Sequence, residues 1–122
     1  SKDQFLSFKN VELISKNLSL TEQMEIINQC KVFISLDSAN MHLASLTSTP
    51  VVSIWGPTHP FLGFSPLFND EYIVQLNKEE LPCRPCSVYG KIRNKDIDCA
   101  KKSMINITTE MVLEKVDLAL KN

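Results

Sequence analysis

Short apolar runs alternate with stretches of helical spacing along this chain. Four runs rich in β-branched or aromatic residues predict strands, at Val11–Ile14, Val32–Leu36, Val51–Trp55 and Tyr72–Leu76. The second and third runs are close to continuously apolar, which is typical of strands buried on both faces of a parallel sheet.

Helical patterns separate these runs and end the chain. A capping box that begins at Ser19 predicts a helix to about residue 30, and a second helix is predicted from Asp37 to near residue 50. A third is predicted over 108–121, with Thr108 as its cap. Because helices that connect strands imply right-handed crossovers, the predicted fold class is α/β: a Rossmann-like parallel sheet with flanking helices.

Composition limits the kinds of function. The 122 residues are 43% hydrophobic and 22% charged, which suits one domain, and the net charge of −1 does not indicate binding to nucleic acid. No apolar run approaches the ~18 residues that a transmembrane helix needs. Four cysteines are too few for a secreted disulfide scaffold, so we expect a reducing, cytoplasmic environment.

Residues 78–103 differ in composition from the rest. They hold three of the four cysteines and seven Lys or Arg against four Asp or Glu, without clear periodicity, and an irregular loop is predicted. Cys83, Cys86 and Cys99 supply three ligands where a closed zinc site needs four, so we expect no metal but packed thiols or a disulfide. The basic residues fit a solvated loop better than a surface for a phosphorylated acceptor: Arg84, Lys91, Arg93 and Lys95.

The chemistry concentrates where the second predicted strand ends and a helix begins. Ligands of parallel sheets bind outside the carboxyl ends of strands, and a helix N-terminus there favours phosphate. Ser38 and Ala39 are small enough for a diphosphate to approach the backbone, and His42 is placed to donate to it. Asp37 suits sugar hydroxyls or its own helix N–H groups. An ordinary helix cap would produce the same pattern.

The next predicted strand ends in Trp55-Gly56-Pro57-Thr58-His59, a turn at the same edge of the sheet. Thr58 and His59 could therefore face the same ligand. A plain turn with His59 in solvent explains that residue equally well.

Three segments together carry a family resemblance: Leu18 to Glu22, Phe33 to Ala44, and Thr49 to Thr58. They resemble, in order and separation, the C-terminal domain of glycosyltransferase family 9, the ADP-heptose:lipopolysaccharide heptosyltransferases. The chain departs from the family pattern at Ala39, where glycine is usual. That methyl narrows the room beside a diphosphate, which leaves the nucleotide-sugar class of donor intact but bears on the specificity for heptose.

The resemblance implies a donor site and a reaction. Donor-binding roles fall on Asp37, Ser38, Ala39 and His42, with Leu18 against the nucleobase and Thr58 as a further contributor. The implied reaction is inverting transfer of a sugar, heptose, from a nucleotide diphosphate sugar such as ADP-heptose to a lipopolysaccharide-core or lipid-linked acceptor. No cofactor is implied.

The resemblance also implies that residues 1–122 are part of a donor-binding domain in a two-domain GT-B enzyme. Its catalytic base would lie in the N-terminal domain, and a phosphate-binding Lys and a ribose-binding acidic residue would lie upstream. No catalytic residue is therefore expected in this chain, which alone should not transfer sugar. The expected location is the cytoplasm, with peripheral attachment to the inner membrane of a Gram-negative bacterium as an option.

Two alternatives fit the same strands and helices. A nucleotide-sugar epimerase-like GT-B enzyme would share the diphosphate loop but lack the Trp55 to Thr58 element in this register. A non-catalytic Rossmann-like binding module would use Asp37 and His42 only to support the helix.

Overall fold

A three-stranded parallel sheet forms the centre of the molecule. The computed structural model describes residues 2–14 and 17–122. Strands β1 (Phe33–Leu36), β2 (Val51–Trp55) and β3 (Ile73–Gln75) are ordered β1-β2-β3. Phe33 pairs with Val51 and Ser53 with Ile73. The predicted parallel pairing of the second and third apolar runs is confirmed, with β2 in the middle.

Within the described residues, five α-helices accompany the sheet: α1 (Lys2–Leu6), α2 (Leu20–Gln29), α3 (Ala39–Ser45), α4 (Ile97–Ile105) and α5 (Thr109–Lys121). Short 3₁₀ turns occur at Pro60–Leu62, Asp70–Tyr72 and Asn94–Asp96. None of the helices in the described ranges is long and apolar enough to cross a membrane.

Side-chain caps fix the starts of two predicted helices. The Ser19 hydroxyl accepts a hydrogen bond from the Glu22 N–H, and the Glu22 carboxylate accepts from the Ser19 N–H at 2.8 Å. The Thr108 hydroxyl accepts from the Met111 N–H at 3.3 Å. Both caps satisfy N–H groups that have no partner within the helix, and both confirm the predicted starts.

The core lies on both faces of β2. Val51 and Trp55 pack with residues of α2 and α3, whereas Val52 points to the opposite face and packs with β3 and α5. Successive side chains of a strand point to opposite faces, so a strand covered on both sides must be apolar at nearly every position. Helices on both faces of a parallel sheet give the expected α/β, Rossmann-like arrangement.

Two predictions are wrong, because one predicted strand does not form and one predicted helix ends earlier than expected. Val11–Ile14 is irregular, and Val11, Leu13 and Ile14 are 42%, 46% and 54% exposed. These residues pair with no strand of the described chain, and strand propensity without a partner does not produce a strand. The second helix ends at Ser45 because the Thr47 hydroxyl bonds back to the Ala44 carbonyl at 2.7 Å, which competes with helix continuation.

The cysteine-containing stretch is also more ordered than predicted. Residues 97–103 are not loop but most of helix α4. Its buried residues, Ala100 and Ser103, are small, so the helical period of the sequence is weak although the helix packs well. Helix α1, over Lys2–Leu6, was likewise not predicted.

Candidate functional site

A cavity of about 240 Å³ opens at the carboxyl ends of β1 and β2, and we call it the strand-end cavity. Asp37 follows β1 directly, and Gly56 to Thr58 follow β2. Residues from the loop after β3 and from α4 complete the lining, which comprises Leu36, Asp37, Ile54, Gly56, Pro57, Thr58, Tyr89, Gly90 and Met104. The sheet therefore brings Asp37 and Thr58 together, as the rule for parallel sheets predicts.

Ser38, rather than Asp37, caps helix α3. The Ser38 hydroxyl accepts from the Met41 N–H at 3.4 Å and lies 3.1 Å from the Ser35 hydroxyl. Asp37 is half-buried, and its carboxylate has no hydrogen-bond partner among the residues described. This leaves both carboxylate oxygens free to accept hydrogen bonds from a ligand in the cavity.

The other predicted donor residues lie around this loop but outside the strand-end cavity. Ser38 and Ala39 are exposed, and His42 is half-buried on α3. Residues 38, 39 and 42 are not among the residues that line this cavity. Their predicted contacts with a diphosphate remain predictions.

Leu18 lies at a second cavity, of about 450 Å³, which we call the α2 cavity. The Leu18 carbonyl accepts a hydrogen bond from the Gln23 side chain at 3.0 Å, which fixes it against α2. Asn40, on the first turn of α3, lines the same cavity. Asp37 thus lies at the strand-end cavity, and Leu18 and Asn40 lie at the α2 cavity.

A buried arginine holds the strand-end cavity together. Arg84 is 3% exposed, and its guanidinium donates to four backbone carbonyls and one side-chain oxygen. These acceptors are Gly56 O at 2.7 Å, Thr58 O at 2.9 Å, Trp55 O at 3.3 Å, Gln75 Oε1 at 3.2 Å and Leu76 O. The side chain thus joins the segments that follow β2 and β3.

Sequence reasoning gave Arg84 the wrong environment. It was grouped with basic residues of a solvated loop, but burial lowers the pKa of its guanidinium, and no carboxylate pairs with it within the described chain. The ion pair found there joins Arg93 to Asp96 at 2.7 Å, with the arginine side chain 69% exposed. Nothing in the local pattern distinguishes these two arginines.

His59 takes a structural position. Its Nδ1 accepts from the Phe61 N–H at 3.1 Å, and the ring does not line the strand-end cavity. Burial, and then the positive charges of Arg84 and Lys78, lower the pKa of the His59 imidazole. The neutral, accepting ring is therefore favoured.

Gly56 permits a close approach of α4. A methyl group added at Gly56 would meet the Met104 side chain well inside van der Waals contact. Met104 also lines the strand-end cavity, so the absence of a side chain at Gly56 fixes how near α4 lies to that cavity.

The cysteines meet beside this region. Cys83 and Cys99 form a disulfide, one of the two states expected, while Cys86 is a buried free thiol. Burial and the charge of Asp96 raise the pKa of the Cys86 thiol, and Arg84 opposes them.

The family model and the curated relatives that match this chain agree on one family. Residues 3–95 match the model of glycosyltransferase family 9 (heptosyltransferase). Lipooligosaccharide heptosyltransferase 2 of Haemophilus influenzae is 32% identical over 101 residues, covering 81% of this chain and 26% of that protein. No solved structure matches the chain significantly.

Two further relatives carry the same kind of name. Lipopolysaccharide heptosyltransferase 2 of Escherichia coli K12 is 29% identical over 83% of this chain and 26% of its own length. That of Salmonella typhimurium is 30% identical over 83% of this chain and 28% of its own length. The chain thus spans about a quarter of the curated relatives that it matches.

Proposed function

We propose a function in sugar transfer from the premise that this chain belongs to glycosyltransferase family 9. The chain forms the donor-binding part of a GT-B transferase that moves a sugar, heptose, from a nucleotide diphosphate sugar to a lipopolysaccharide-core acceptor. Similarity to three proteins named heptosyltransferase 2 supports this choice of reaction. We place the catalytic base, which deprotonates the acceptor hydroxyl, in the other domain of that enzyme.

The observation that carries the proposal is that Asp37 and Thr58 both line the strand-end cavity. The free, half-buried Asp37 carboxylate suits the hydroxyls of a sugar, since charge-assisted hydrogen bonds are among the strongest available. The cavity, at about 240 Å³, is smaller than the ~300–1,000 Å³ typical of whole-ligand pockets. It therefore suits the sugar unit of the donor rather than the entire nucleotide sugar.

The α2 cavity then receives the nucleobase. Leu18 supplies an apolar surface there, and the diphosphate follows residues 37–40 between the two cavities. Ala39 and Asn40 open α3, and N–H groups at the start of a helix have no acceptor within it. The contribution of this chain to inverting transfer is to orient the donor and to stabilise the departing diphosphate.

The test compares kcat/KM for ADP-heptose in the full-length enzyme. Asp37→Asn keeps the shape of the side chain but removes its charge, and a hydrogen bond to a charged group contributes roughly 1.5–3 kcal/mol. We expect a ten- to hundredfold loss. Asp117→Asn, a change of the same type on the exposed face of α5, should leave kcat/KM unchanged.

A further variant separates the roles within the loop. His42→Ala should lower donor affinity about ten- to hundredfold if the imidazole reaches the diphosphate. Unaltered kinetics would give His42 a packing role on α3. Unaltered kinetics in Asp37→Asn, with correct folding, would contradict the proposed sugar contact and favour a module without a donor site here.

A further inference from the structure

Three cysteine sulfurs lie together between the loop after β3 and helix α4. The Sγ atoms of Cys83, Cys86 and Cys99 are all within 4.8 Å of one another. Cys86 Sγ is 2.7 Å from Cys99 Sγ, and Cys99 is joined to Cys83 in a disulfide. Among the side chains of residues 4–14 and 17–122, which the structure describes, no other group of His, Cys, Asp or Glu has spacing suited to a metal ion.

The spacing of these sulfurs suits a thiolate metal site. Cys83 and Cys86 are separated by two residues, the usual separation for two ligands of one zinc ion. Zinc–sulfur bonds of about 2.3 Å in a tetrahedron place sulfurs roughly 3.8 Å apart. The bonded Cys83–Cys99 pair and the Cys86–Cys99 pair, at 2.7 Å, would therefore have to move apart on reduction to reach that distance. Cys86 is buried, Cys99 half-buried and Cys83 exposed, so the cluster opens to solvent on one side.

The backbone that carries two of the sulfurs is held by contacts independent of any metal. The N–H groups of Cys86 and Ser87 both donate to the Pro57 carbonyl, at 2.8 and 3.1 Å. Arg84, between the two cysteines, is anchored by its guanidinium to the segments after β2 and β3. The backbone positions of Cys83 and Cys86 are thus preorganised before any metal binds.

Charge provides an independent argument. The Arg84 guanidinium is buried among neutral oxygen acceptors without a carboxylate partner in the described chain, which is an unusual state for a charged group. Three thiolates around a divalent ion carry one net negative charge, since their three charges outweigh its two. Such a centre beside Arg84 would supply the missing counter-charge, which a disulfide and a thiol do not.

We propose that Cys83, Cys86 and Cys99, once reduced, bind one zinc ion as three thiolates, with water or another small ligand in the fourth position. Counting ligands along the sequence predicted no metal because it required four from the protein, and an open position removes that requirement. A thiol reductant supplies two electrons to open the Cys83–Cys99 bond and is itself oxidised to a disulfide. Three thiol protons then pass to solvent as three Zn–S bonds form.

The test measures metal in the full-length protein, produced in a reducing cytosol and purified with reductant but without chelator or a metal-binding tag. We expect roughly one zinc per chain by mass spectrometry of the elements. Changing Cys83, Cys86 or Cys99 to Ser should lower the zinc content at least about tenfold. Cys30→Ser is the matched control, because Cys30 is an exposed thiol that caps the C-terminus of α2, outside the cluster.

A second measurement uses only the wild-type protein, so it decides the question even if the cysteine variants do not fold. Wild-type protein stripped of metal is titrated with cobalt(II), and thiolate-to-cobalt absorption of the strength of three thiolates supports the site. The proposal would be overturned by reduced wild-type protein with less than about a tenth of a zinc per chain, or by absorption that indicates fewer than three thiolates. Zinc retained in all three cluster variants would overturn it too.

Discussion

Replacing Arg84 by Met removes five hydrogen bonds at once while keeping an unbranched apolar stem. A buried acceptor that loses its partner costs about 1–3 kcal/mol. If water replaces the guanidinium at about half of the five acceptors, the others, left without a partner, destabilise the fold by roughly 3–8 kcal/mol together. Relief from burying the charge acts in the opposite direction, so we expect the free energy of unfolding to fall by about 2–4 kcal/mol.

Arg84→Lys should lower stability less than Arg84→Met, because it keeps the positive charge and loses only the planar guanidinium with its five N–H donors. An ammonium group has three donors on a single atom and cannot reach acceptors spread over the segments after β2 and β3. We expect a loss of about 1–3 kcal/mol in stability. The Thr58 carbonyl should also lose its partner, so kcat/KM should fall with the altered position of Thr58 in the cavity.

Urea unfolding followed by the fluorescence of Trp55 measures these changes. Trp55 is the only tryptophan of the chain, is fully buried, and offers its own carbonyl to Arg84. Arg93→Met is the matched control, since an arginine side chain 69% exposed in a surface ion pair should contribute no more than about 0.5 kcal/mol. If Arg84→Met shifts the unfolding midpoint no more than Arg93→Met, Arg84 does not act as the clamp described.

Two further predictions concern the turn after β2. Because the pKa of His59 is lowered below its ordinary 6.5 in the folded chain, the unfolded chain binds the proton more readily. The contribution of His59 to the free energy of unfolding is therefore fully present above about pH 6.5 and is lost as pH falls through the pKa of the folded chain. In His59→Asn, the midpoint of urea unfolding should depend less on pH over this range. Gly56→Ala should lower stability by about 1–3 kcal/mol through overlap with Met104. Adding Met104→Ala should restore part of that loss, and strict additivity in this double-mutant cycle would contradict the proposed contact.

The sheet and most of its helices could be predicted because their causes are local. The apolar run Val51–Trp55 can be covered only on both faces, and the Ser19–Glu22 pair fixes a helix start within four residues. Val11–Ile14 has the same strand propensity but lies exposed and unpaired. A strand is a property of two segments, so its sequence alone could not decide the outcome.

The candidate site was predictable only in part, for a related reason. The meeting of Asp37 and Thr58 follows from topology, since both stand just after neighbouring parallel strands. The positions of Ser38 and His42 depend on the rotation of a seven-residue helix and on which residue caps it. Arg84 reaches carbonyls 26 to 29 residues earlier in the chain, and no local pattern encodes such a contact.

The strand-end cavity is lined on one side by residues inside the region that matches the family and on the other by a residue outside it. One wall, from Asp37 to Thr58, is fixed by the parallel sheet and lies inside the region that matches the family. The other wall includes Met104 on α4, beyond residue 95, where the family match ends. Arg84 and the cysteine cluster connect the two walls, because both join the loop after β3 to other parts of the cavity. On the proposed function, substitutions of Met104 on α4 should therefore change which donor sugar fits while the sheet and its loop at Asp37 remain intact.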